Sequence, residues 1–157
     1  MKHTISVMVE NKFGVLARVA GLFSARGYNI TSLAVSETLD PDISYMTIVV
    51  DAKDEAVLEQ IKKQLNKLID VITVTDFTKK KHVEREMVLL KVSYSPKIKV
   101  KVDKVLKKYV AKLVERKGSA AIVEAMGDQE QIKNLLDALS IFGVKELIRT
   151  GKIAVAF

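Results

Sequence analysis

The amino-acid sequence predicts an α+β chain built from two βαββαβ units. Three observations carry that prediction. Short runs of period-two hydrophobicity read as strands. Apolar residues at i, i+3 and i+4 between those runs read as amphipathic helices. The same order of elements occurs in both halves.

In the first half, Ile5, Val7 and Val9 alternate with polar neighbours and predict a half-buried strand. Leu16, Val19, Ala20 and Phe23 fall at helical spacing, with Gly27 placed to end the helix. Residues 29–38 are rich in β-branched types and stop at the turn signal Asp40-Pro41-Asp42. Tyr45 to Val50 returns as an apolar strand. Asp54 is placed to cap a helix that carries Val57, Leu58, Ile61, Leu65 and Leu68 on one face. Val71 to Phe77 closes the unit.

A polar connection over residues 78–85 separates this unit, 1–77, from a second, 86–157. There Met87 to Tyr94 reads as a strand and Val100 to Tyr109 as a short lysine-rich helix. Residues 112–115 and 120–126 form a hairpin around Arg116-Lys117-Gly118-Ser119. Asp128 opens a helix with Ile132, Leu135, Leu136 and Leu139 turned inward. Residues 144–149 and 152–156 finish as strands around Thr150-Gly151. Each half is therefore expected to adopt the ferredoxin-like arrangement. The repeat is one of element order, with no clear sequence identity between the copies.

Composition narrows the function. The 157 residues are 48% hydrophobic and 29% charged, which suits one or two small globular domains. No apolar run is long enough to span a bilayer and no signal-peptide h-region opens the chain, so a cytoplasmic protein is expected. With no Cys, neither a disulfide framework nor a thiolate metal site can be built. The net charge of +7 is concentrated in Lys79, Lys80, Lys81 and the stretch from Lys97 to Lys112. No aromatics interleave with these lysines, so they read as a solvated connector and helix face, and no nucleic-acid partner is expected. His3 begins a strand and His82 lies in the connector, and the serines have no local histidine companion. No catalytic constellation and no metal site is therefore expected.

The informative segment is Glu10-Asn11-Lys12-Phe13-Gly14-Val15-Leu16, which joins the first strand to the first helix. A helix start exposes unpaired N–H groups and a partial positive charge. Gly14 lets a ligand approach them, which suits a carboxylate. Asn11 adds a side-chain amide. The same residues equally suit an ordinary strand-to-helix turn. Asn29, after Arg26-Gly27-Tyr28, offers an oxygen to an ammonium group, or serves as a turn residue. Within one βαββαβ chain these two features lie at opposite edges of the sheet. The second strand is also an outer strand. Pairing it antiparallel with the same strand of a second copy carries the partner's Asn29 toward Asn11 and Gly14. A site using both must straddle a dimer interface, and twofold symmetry makes two such sites.

The run from Glu10 to Leu33, ENKFGVLARVAGLFSARGYNITSL, resembles the opening of the acetolactate synthase (acetohydroxyacid synthase) small subunit. The ACT domain of that family shows Asn-x-x-Gly-x-Leu and then Arg-Gly-Tyr-Asn-Ile. The similarity continues through Met46-Thr47-Ile48, Leu58-Glu59-Gln60-Ile61, the stretch Lys63 to Leu68, and His82-Val83-Glu84-Arg85-Glu86. The second half is similar mainly in element order. The resemblance implies a regulatory subunit in branched-chain amino-acid biosynthesis. It would be no enzyme by itself. It would form a homodimer through its ACT domain, activate the catalytic large subunit and confer feedback inhibition by valine or a related amino acid. By position, Asn11, Gly14, Val15 and Leu16 would hold the effector from one chain, and Asn29 and Ile30 from the other. Val15, Leu16 and Ile30 would form its apolar wall. Thiamine diphosphate, magnesium and FAD would belong to the catalytic subunit. An RNA-binding module and an amino-acid-responsive transcription regulator share parts of this fold. The strand from Ile43 to Val50 lacks the Gly-rich aromatic signature of the first, and neither half has a spare helix pair for the second.

Overall fold

A computed structural model describes residues 2–157 and divides the chain into two compact units. One comprises the chain up to Val83 together with Lys152–Phe157, and the other is Glu84–Gly151.

In the first unit the elements are β1 (Lys2–Glu10), α1 (Val15–Ala25), β2 (Asn29–Glu37), β3 (Ile43–Asp51), α2 (Glu55–Leu65) and β4 (Val71–Asp76). The sheet order is β2-β3-β1-β4, with every neighbouring pair antiparallel. β2 is thus an edge strand, parallel to β1 but separated from it by β3. The alternation in β1 sends Ile5, Val7 and Val9 into a core with Val19 and Phe23 of α1 and Leu58, Ile61 and Leu65 of α2. Asp54 caps α2 as expected, its carboxylate accepting from the N–H of Val57 at 2.9 Å. Each fully buried Leu or Phe side chain here contributes roughly 1.5–3 kcal/mol. Truncating fully buried Leu58 to Ala would cost about 2–5 kcal/mol.

The second unit takes most of β5 (His82–Ser93), then α3 (Lys99–Lys108), β6 (Lys112–Lys117), β7 (Ala120–Gly127), α4 (Gln129–Ser140) and β8 (Val144–Arg149). Its strand order is β6-β7-β5-β8. Val88, Leu90 and Val92 of β5 pack with Val102 and Leu106 of α3 and with Ile132, Leu135 and Leu139 of α4. Asp128 and Gln131 form a reciprocal capping box at the start of α4.

Two details depart from the sequence reading. β5 begins at His82, inside the stretch read as a connector. Its charged residues mask the alternation, and pairing with the last strand supplies what the local pattern lacks. That last strand, β9 (Ile153–Ala156), read as the close of the second unit, pairs with β5 and groups with the first unit. The N–H of Lys152 donates to Ser32 Oγ at 3.0 Å, and the Tyr45 hydroxyl donates to the Ala154 carbonyl at 2.9 Å. The N–H of Phe157 donates to the Lys81 carbonyl at 3.3 Å. Tyr45 is the one aromatic of β3, and its hydroxyl is committed to this contact. Among the described residues, no helix is long and apolar enough to cross a membrane.

Candidate functional site

β1 ends at Glu10, whose N–H donates to the Asp70 carbonyl at 2.9 Å. Asn11 then docks on the β2–β3 loop: its backbone N–H reaches the Asp42 carbonyl at 2.7 Å and its side-chain Nδ2 donates to the Pro41 carbonyl at 2.8 Å. The Asn11 amide nitrogen therefore fixes the turn, while the residue stays exposed. Lys12 folds back on Glu10, Nζ to Oε2 at 2.7 Å, and that carboxylate raises the lysine above its ordinary value.

Gly14 is the N-cap of α1 at φ 78, in the left-handed region, and it caps without a side-chain hydrogen bond. Only glycine takes this conformation without a Cβ penalty. α2 and α4 start instead on aspartates that satisfy their first-turn donors. At α1 the Gly14 carbonyl accepts from Arg18 N at 2.9 Å, and the N–H of Val15 meets the Lys12 carbonyl at 3.4 Å. Among the described residues, no acceptor meets the N–H of Leu16 or Ala17. Two free donors at the positive end of a helix suit an anion.

Arg18, one turn along α1, adds full charge to this tip. A Cβ built on Gly14 would lie 3.0 Å from Arg18 Nη1, so the guanidinium sits directly beside the glycine. It is held there by Asp70, Nε to Oδ2 at 2.8 Å. Arg18 is absent from the candidates read from sequence. Its signal was the spacing of four from Gly14, which puts both on one helical face. Phe13, fully exposed at 102% relative accessibility, was also missed, and it places an apolar ring at the same tip.

The other candidates separate. Val15 is only 3% exposed and packs into the core, so its side chain cannot wall a ligand and only its backbone faces the tip. Leu16, 45% exposed, does present its side chain. Asn29 is exposed, and Ile30 is half-buried against the core. Register shows how far Asn29 lies from Asn11. Asn29 pairs with Asp51, whereas Glu10, the neighbour of Asn11, pairs with Ile43. The two rows are eight β3 residues apart by that register, about 27 Å. One chain does not bring these residues together around a small molecule.

His3 is buried, with Nδ1 3.2 Å from Thr78 Oγ1, and His82 Nδ1 donates to the Lys80 carbonyl at 2.8 Å. Among the described residues, no cluster of three or more metal-binding side chains occurs.

Comparison with known proteins covers both units. Residues 5–73 match the AHAS small subunit-like ACT domain, and residues 85–156 match a family described as the small subunit of acetolactate synthase. A probable acetolactate synthase small subunit of Archaeoglobus fulgidus is 47% identical over 98% of this chain and 96% of its own length. The acetolactate synthase small subunit of Aquifex aeolicus is 44% identical over 98% of this chain and 80% of its own. The crystal structure of the small subunit from Thermotoga maritima superposes with a TM-score of 0.88 at 34% identity, covering 100% of this chain and 98% of that one.

Proposed function

We propose how effector control works here from one premise: the chain belongs to the acetolactate synthase small-subunit family. It is a regulatory subunit of acetolactate synthase, in the biosynthesis of valine, leucine and isoleucine, and not the catalytic subunit. In our reading, thiamine diphosphate, magnesium and FAD reside on the large subunit. The present chain binds none of them, acts in the cytoplasm and supplies feedback inhibition by valine or a close relative.

The observation that carries the effector reading is the tip of α1. Left-handed Gly14 opens it, the N–H groups of Leu16 and Ala17 are unspent, and the Arg18 guanidinium stands beside it. An amino-acid carboxylate would sit on these donors. The exposed Leu16 side chain and partner-supplied Ile30 would meet the aliphatic group. Val15 would contribute through its backbone alone.

The ammonium group needs an acceptor from elsewhere. β2 is an edge strand nine residues long, with Leu33 at its centre. Antiparallel pairing of two copies about Leu33 sets the partner's Asn29 opposite Glu37. Glu37 lies in the row of Ser44 and Val9, two residues from Asn11. Two symmetric sites result, each drawing Asn11, Gly14 and Leu16 from one chain and Asn29 and Ile30 from the other.

Calorimetric titration with valine, leucine and isoleucine tests this reading. A micromolar to millimolar affinity, roughly −4 to −8 kcal/mol, is expected, with one effector per chain. It should be accompanied by effector inhibition of the reconstituted holoenzyme. A chain that activates the large subunit but binds no aliphatic amino acid would refute it.

A further inference from the structure

α3 carries several local features that work against its own stability. It starts on Ile98, which makes no side-chain hydrogen bond to the first turn. That turn holds Lys99 and Lys101 and no acid, so cations face the positive end of the helix dipole. Lys101, Lys104 and Lys108 follow at spacings of three and four, which makes like charges neighbours on the outer face. The helix's one carboxylate, Asp103, is turned away and accepts from the Tyr94 hydroxyl at 2.8 Å. All five α3 lysines are exposed, and among the described residues none of them pairs with a carboxylate.

The helix then closes with Ala111 N donating to the Leu106 carbonyl at 2.9 Å, which puts Val110 at φ 55. Glycine is the residue expected there, and a β-branched side chain in that region is strained. Val110 is 89% exposed, so core packing does not hold it in place. Four conflicts therefore fall on one element: no cap, misplaced charge, like-charge neighbours and a strained exposed valine. Such conflicts gather where a surface serves something other than folding.

We propose that the outer face of α3 together with Val110 docks the catalytic subunit, meeting it on a carboxylate-rich patch with an apolar seat for Val110. The proposal rests on the regulatory reading above. A single-sign row of flexible ammonium groups steers an acidic surface into place and sets register. Val110 adds the apolar contact that such a row lacks. A protein fits this surface better than a nucleic acid. α3 carries no aromatic ring, and its neighbours are not free to stack bases: Tyr94 is buried, and half-buried Tyr109 lies under the Lys108 ammonium at 5.2 Å. A strained apolar knob also adds nothing to phosphate binding.

The test measures binding of the full chain to its catalytic subunit at low and high salt, beside effector calorimetry and thermal unfolding. The variants are K101E/K104E/K108E and V110G. We expect the charge reversal to weaken assembly by about tenfold or more and to flatten its salt dependence, with effector binding unchanged. V110G should unfold at a higher temperature yet assemble less tightly. A purely structural Val110 would raise stability and leave assembly alone. Should the reversal unfold the second unit, K101Q/K104Q/K108Q carries the same comparison. Wild-type assembly by both the charge variant and V110G overturns the proposal. So does steep salt-dependent binding of single-stranded RNA that is lost in the charge variant while assembly persists. Failure of the wild-type chain to assemble at all would instead refute the regulatory reading itself.

Discussion

Arg18 and Asp70 join the start of α1 to the turn before β4 through a 2.8 Å ion pair that parks the guanidinium beside Gly14. Asp70 is almost buried and Arg18 half-exposed, so the pair acts more as a positioning device than as a large source of stability. Arg18→Ala should weaken effector binding by about tenfold, near 1.4 kcal/mol, with assembly unchanged. Asp70→Asn should cost about 0.5–1 kcal/mol of stability and alter effector affinity, because the guanidinium loses its anchor. Calorimetry and thermal unfolding read both. Arg18→Ala binding the effector as tightly as wild type would remove the guanidinium from the site.

Gly14→Ala should lose feedback inhibition while still activating the catalytic subunit. Its left-handed backbone costs about 1–2 kcal/mol with a Cβ, and that Cβ crowds Arg18 Nη1. Gly14→Asp would add a carboxylate beside the proposed seat of the effector's own. At ~4 Å and an effective dielectric of ~20, repulsion is about 4 kcal/mol before the Arg18 charge offsets part of it. Inhibition assays on the reconstituted enzyme would decide; full effector sensitivity in both variants would exclude the tip as the site.

If each site draws on two chains, as proposed, defective chains should complement one another. Gly14→Asp and Asn29→Ala would each spoil both proposed sites of a homodimer. In a mixed dimer one site carries both changes and the other carries neither. After equal mixing and random exchange, about a quarter of all sites should regain wild-type affinity by calorimetry. Absence of any recovery, with exchange verified by light scattering or mass spectrometry, would place Asn29 outside the site.

Stability should fall in acid partly through Asp76. Burial pushes its carboxyl up, but the Thr78 N–H and hydroxyl and the Lys62 ammonium outweigh that and leave it below the ordinary 3.8. A carboxyl depressed in the folded state stabilises above its unfolded value and loses that contribution as pH drops through its folded value. Asp76→Asn should therefore be less stable than wild type by about 1 kcal/mol at pH 7, with the gap closing below pH 3.8. Chemical denaturation across pH 2–7 tests the sign; a gap independent of pH would mean the charge is not involved.

Removing the Tyr45 hydroxyl tests the grip on the C-terminal strand. Tyr45→Phe deletes the donor to Ala154 and should cost about 1 kcal/mol. It should also speed hydrogen exchange in β9. Unchanged exchange there would show that the strand is held by its backbone pairing alone.

Much of this protein was legible locally. The alternation of Ile5, Val7 and Val9, the helical spacing of Leu58, Ile61 and Leu65, and the caps Asp54 and Asp128 depend on neighbours in the chain, and they determined both βαββαβ units. The place of Gly14 at the start of α1 was legible as well, since it follows from lying between a strand and a helix. The tertiary structure alone decided that Val15 faces the core, that Asp70 holds Arg18 at Gly14, and that the last strand returns to Ser32 and Tyr45. The Asp70 and C-terminal-strand contacts turn on partners 52 to 120 residues away. Periodicity reports which face of an element is apolar; it carries no information about which distant group meets it, because that choice minimises energy over the whole packed unit.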